Sequence, residues 1–129
     1  MMKKTILALV ASSTLMMASE NITVSATMSL MFQGLNKVQS GLMHNNKADI
    51  KDGLSTLENA NAIFTKVDVS TFIKNNNKVQ VTKNISANLN NSLADLSKAT
   101  KSNNLAGVTK AYAKVMQNCL ACHTIVRGW

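Results

Sequence analysis

Cys119, Cys122 and His123 fall in the order C-x-x-C-H near the end of the chain. That order is the attachment motif for c-type haem. The chemistry asks for two thiols, which add to the two vinyl groups of the porphyrin. It also asks for an imidazole to take one axial position on the iron. On an α-helix the two thiols are three residues apart, and Cys119 and His123 are four apart. All three side chains then project from one face, so one helical turn can hold the macrocycle at its edge and bind its metal.

Other uses of these residues need partners that the sequence does not supply. The chain has two cysteines, both in the motif, so none is left for a disulfide framework. A redox dithiol of the thioredoxin type belongs in a βαβ pattern, which is absent here. A structural zinc site takes four ligands, and the other histidine, His44, lies far off in sequence. A non-haem periplasmic dithiol protein is the third reading, behind two that involve haem.

The start of the chain agrees with haem attachment outside the cytoplasm. Lys3 and Lys4 precede an apolar run over residues 6–18, interrupted by Ser12, Ser13 and Thr14. This is the pattern of a secretory signal peptide, and it is too short to span a bilayer. Cleavage is expected after Ser19, with Val24-Ser25-Ala26 as a second small-residue candidate. Residues 1–19 are thus read as signal and residues 20–129 as one domain, exported to the periplasm with no transmembrane anchor.

The formal charge is +8. Without Lys3 and Lys4, twelve lysines and arginines face six acids, a balance of about +6 before the haem propionates. A basic surface suits an acidic partner or an anionic membrane face. The lysines are scattered and aromatics are few, which argues against nucleic acid. With no proline and five glycines, nothing forces a helix break, and no alternating strand pattern persists. The expected fold is all-α.

Four helices carry the motif. Helix A is expected over residues 21–45, with Val24, Met28, Met31, Leu35, Val38 and Leu42 as its apolar seam and Asn45-Asn46 as its stop. Helix B spans residues 47–66 with Ile50, Leu54, Leu57, Asn61 and Phe64 inward. Residues 67–78 are irregular, with Asn75-Asn76-Asn77 read as a turn and Phe72 and Ile73 plugging the bundle end. Helix C spans residues 79–100 with Ile85, Leu89, Leu93 and Leu96 inward. Ser102-Asn103-Asn104 is a turn and cap. Helix D runs to Arg127 along Leu105, Val108, Tyr112, Val115, Cys119, Cys122 and Val126.

Short connections favour an antiparallel up-down-up-down four-helix bundle. In that order helices A and D are neighbours. His123 lies roughly 9 Å from the end of helix D, and Met28 and Met31 roughly 10 and 15 Å along helix A from the same end. A haem held by His123 then presents its other face to these methionines. A thioether is a soft ligand suited to ferrous iron. Methionine is also ordinary core filler, so a haem opposite is what gives this pair a second role. Met31 is the first choice of distal ligand and Met28 the alternative. His44, at the far end of helix A, is read as a helix-end histidine. Arg127 is a candidate partner for a haem propionate as well as a favourable charge at a helix C-terminus.

With C-x-x-C-H on the last helix of such a bundle, the chain resembles the class II c-type cytochromes, cytochrome c prime and its low-spin relatives. Cys119, Cys122 and His123 match the family's attachment and proximal-ligand positions, and Arg127 matches a basic residue common there. The chain also looks like the soluble periplasmic b-type cytochrome bundle, whose first helix supplies a methionine ligand. The segment from Met31 to Leu54 has similar spacing, which puts Met31 at that position. The resemblance implies one covalent haem c, no enzymatic activity, electron transfer with an acidic redox partner, and room for a homodimer through helices A and B. Low-spin members use a methionine as sixth ligand and carry electrons. Five-coordinate members bind nitric oxide or other small gases, and this is the alternative reading.

Overall fold

The structure, a computed structural model, describes the backbone of residues 2–128 and the side chains of residues 23–128. The expected signal segment, residues 1–19, and Trp129 lie outside the described side chains. Four α-helices form the fold: α1 Met2–Met43, α2 Lys47–Phe64, α3 Asn76–Lys101 and α4 Leu105–Arg127. A single 3-10 turn, Val69–Thr71, sits between α2 and α3, and the described residues contain no strand. No helix among the described residues is long and apolar enough to cross a membrane.

Asparagine sets most of the boundaries. Asn45 and Asn103 adopt the left-handed region, at φ 52° and 51°, one residue before the caps of α2 and α4. A short polar side chain tolerates that conformation better than most. Asn46 then caps α2, accepting from the backbone N–H groups of Ala48 and Asp49 at 3.1 and 3.2 Å. Its Nδ2 donates to the Asp49 carboxylate at 2.9 Å. Asn104 caps α4 by accepting from the N–H of Gly107 at 3.0 Å. Each such cap contributes about 1 kcal/mol.

Two boundaries differ from expectation. The first helix runs unbroken from Met2 instead of starting near residue 21. The third begins at Asn76, three residues early. Asn75, in extended backbone, accepts from the N–H groups of Asn77 and Lys78 at 3.0 and 3.2 Å. The asparagine run read as a turn is therefore a helix cap followed by helix.

The expected seams are largely the buried ones. Met31, Leu35 and Val38 of α1, the whole α2 seam, and Leu89, Leu93 and Leu96 of α3 are buried, with Ile85 half-buried. Ile73 and Val69 are buried beneath the connection, and Phe72 packs against the same core. On α4, Val108 and Val115 are buried, but Leu105 is 51% and Val126 40% exposed. Both lie at the ends of α4, where adjoining helices no longer cover the stripe.

α1 packs along α2, and α3 along α4; contact between the two pairs is sparser and runs chiefly through α2 and α3. The α1–α2 approach is close enough to exclude a side chain. A Cβ on Gly53 would lie 2.7 Å from the Gly34 carbonyl oxygen and from the Val38 nitrogen. One side-chain hydrogen bond crosses each consecutive pair among the described residues. Lys37 of α1 pairs with Asp52 of α2, Asn61 Nδ2 of α2 donates to Asn90 Oδ1 of α3, and Asn118 Nδ2 of α4 donates to Ser92 Oγ of α3 at 2.9 Å. α1 and α4 instead meet across a cavity.

Candidate functional site

α4 supplies one wall of this cavity through Asn118, Cys119, Cys122 and His123, and α1 the facing wall through Met28, Met31, Phe32 and Leu35. Phe64 of α2 and Leu89 of α3 are among the residues closing the floor. The enclosed and solvent-open space together is about 570 Å³. A second hollow of about 830 Å³ continues around the bundle end and shares Met28, Phe64, Cys122 and His123 with the first. Phe72 and Arg127 line this second hollow.

The helical spacing therefore brings Cys119, Cys122 and His123 together with Met28 and Met31, while Arg127 lines only the second hollow. Cys119 and Cys122 are half-buried free thiols. His123, next along α4, is exposed and borders both hollows. Met31 is 6% exposed and faces the first hollow, whereas Met28 is half-buried and borders both. Arg127 is exposed in the last turn of α4, ahead of Gly128, whose φ of 73° ends the helix in the left-handed region. His44 stands apart, exposed past the end of α1 and hydrogen-bonded through Nδ1 to the Ser40 carbonyl at 2.8 Å.

Phe32, Ser86 and Asn118 border the cavity without having been singled out. Phe32 follows Met31 and Asn118 precedes Cys119, so position beside a marked residue was the available signal. Asn118 Nδ2 is shared between Ser92 Oγ and the Lys114 carbonyl, at 2.9 and 3.1 Å. This fixes the amide one residue before the first thiol.

The apolar surroundings act on the thiols. Burial pushes Cys119 up to about 11, with the neighbouring Cys122 thiol adding to the effect. Burial also raises Cys122. The Tyr112 hydroxyl is raised by burial first and by nearby Cys119 second. A raised thiol pKa means a neutral S–H at neutral pH, the form that sits without penalty against an apolar ring.

The donor set fits a c-type haem: two neutral thiols on one helical face, an imidazole beside them, and two thioethers across an apolar cavity. Among the described residues no group of three or more His, Cys, Asp or Glu is arranged to hold a bare metal ion. Comparison of the chain with protein-family models, curated proteins and solved structures gives no match.

Proposed function

We propose that the chain is a periplasmic monohaem c-type cytochrome of class II, an antiparallel up-down-up-down bundle that carries electrons and catalyses no reaction of its own. The observation that carries this reading is the single cavity shared by Cys119, Cys122 and His123 of α4 with Met28 and Met31 of α1. The close approaches of Gly34 to Gly53 and Leu57, and of Gly41 to Asn46 and Ile50, support the antiparallel order of the first two helices.

Cys119 and Cys122 would hold the porphyrin edge through thioethers, and His123 would bind the iron on the α4 side. Met31, or Met28 in its place, would bind from the α1 side. When bound, the group supplies a one-electron iron couple whose potential is raised by His/Met ligation. The protein's part is to fix both ligands on rigid helices, so that they need little rearrangement between oxidation states. Phe64 and Leu89 keep water from the cavity floor. Arg127, beside the second hollow, is suited to a propionate.

The test is the absorption spectrum of protein expressed with haem-attachment machinery. Sharp α and β bands on reduction, with the weak long-wavelength sulfur-to-iron band when oxidised, are the expected result. A broad high-spin spectrum that sharpens on adding nitric oxide would replace electron transfer with gas binding. Purified protein without a Soret band would overturn both and leave a dithiol protein.

A further inference from the structure

We infer that the outer groove between α3 and α4 is the docking surface for the acidic face of a redox partner protein. The inference rests on the cytochrome reading and names where its partner binds. The groove holds about 720 Å³ of open space, and Lys98 of α3 and Lys110 and Lys114 of α4 line it. Asp95, at one edge, is the single carboxylate among the lining residues.

Apart from Asp95, no acid offsets the three lysines of this groove. Residues 96–127 contain five lysines and arginines and no acid. Residues 69–94 likewise hold three lysines and no acid, whereas Lys37 pairs with Asp52, the one ion pair among the described residues, and Lys83 bears on Asp68. Lys98, Lys110 and Lys114 are exposed and have no ion-pair partner among the described residues. Cations held without partners along a concave wall focus a positive potential, which orients and accelerates an acidic partner's approach.

The groove also lies beside the proposed haem cavity. Asn118, which borders that cavity, is hydrogen-bonded to the Lys114 carbonyl. Lys114 and Cys119 are five residues apart on one helix, roughly 7.5 Å along its axis. Their side chains point about 140° apart around the helix, so a partner seated on the lysines would lie near the thiol-bearing turn on its outer side, next to Asn118. A docking face remote from the cavity would give steering without short-range transfer.

The experiment titrates ¹⁵N-labelled holoprotein with a glutamate decapeptide at about 20 mM salt, where exposed charges are weakly screened. The expected shifts centre on the amides of Lys98, Gly107, Lys110 and Lys114. K98E/K110E/K114E should weaken binding at least ~10-fold, and the K98Q/K110Q/K114Q variant by an intermediate factor. A control of equal charge change, K51E/K66E/K83E, should weaken it by less than about twofold. Equal loss in the control would overturn the groove and leave only net charge. Sedimentation with phosphatidylglycerol vesicles that the groove variant abolishes, without an effect on the peptide, would reassign the face to a membrane and also overturn the proposal. Groove binding in protein without a Soret band would keep the groove and sink the cytochrome reading, so the two failures are distinguishable.

Discussion

The Asn118 amide donates to the Ser92 hydroxyl at 2.9 Å, tying the residue before the first thiol to the neighbouring helix. Ser92 is 5% exposed, and its Oγ donates onward to the Asn88 carbonyl at 2.9 Å. Replacing either partner leaves the other with one remaining bond. N118A and S92A should each cost about 1 kcal/mol, with a coupling of about 0.5–1 kcal/mol in the double-mutant cycle. Urea denaturation measures this, and additive losses would mean that the bond does not tie the helices.

Asn61 is the one polar residue in the α2 seam, and its Oδ1 is buried without a hydrogen-bond partner. An unpaired buried acceptor costs about 1–3 kcal/mol. Asn61→Leu, similar in size and apolar, should raise the urea midpoint by an amount equivalent to about 1 kcal/mol after loss of the bond to Asn90. A lower midpoint would mean that Oδ1 has a partner in solution.

Gly53 should not tolerate a methyl group. The atoms that a Cβ would meet at 2.7 Å, the Gly34 carbonyl oxygen and the Val38 nitrogen, are backbone and cannot rotate away. Gly53→Ala gains about 1 kcal/mol in helix propensity, but overpacking costs about 1–3 kcal/mol or more. A net loss is expected, visible as a lower Tm. An unchanged or higher Tm would show that α1 and α2 can separate slightly without penalty.

The thiols make the haem-free protein sensitive to alkali. Cys119 is raised from 9.0 to about 11, so folding favours its protonated form. The associated stability is fully present below pH 9 and is lost as pH rises through about 11, by on the order of 2 kcal/mol. Urea midpoints across pH 8–11 should fall in wild type and fall less in Cys119→Ser. Alkylation at Cys119 should be slow at pH 8 and accelerate with alkali. Attachment to haem removes the titrating proton and should abolish this pH dependence.

Met31→Ala in the holoprotein should convert a low-spin spectrum to high-spin, whereas Met28→Ala should leave it low-spin. The reverse pattern would assign the sixth position to Met28, which borders both hollows with His123.

Much of this could be read from the residues because helices report their buried face through spacing. The α2 seam was legible residue by residue, including Asn61, and the α1 seam from Met31 to Val38, because these stretches pack against each other. Val24, Met28 and Leu42 are only half-buried. Leu105 and Val126 broke the pattern because periodicity carries no information about where cover ends. Asn75 was misplaced because the same side chain suits a turn and an N-cap, and only the hydrogen bonds to Asn77 and Lys78 distinguish them. The cavity residues on α4 were legible through the motif. Phe32 carried only its place beside Met31 as a signal, and Ser86 none, because their relation to the thiols is across space.

The crossing hydrogen bonds join α1 to α2, α2 to α3 and α3 to α4, each time between neighbours in sequence. A chain built this way has low contact order, and helical proteins of that kind fold in microseconds to milliseconds. The seam between α1 and α4 requires the longest loop closure and has the fewest direct contacts to offset it. It should be the last part of the molecule to close and the first to open. The thiols would thus stay within reach of an attachment catalyst after the other three seams had formed, giving covalent modification a kinetic window on an otherwise folded chain.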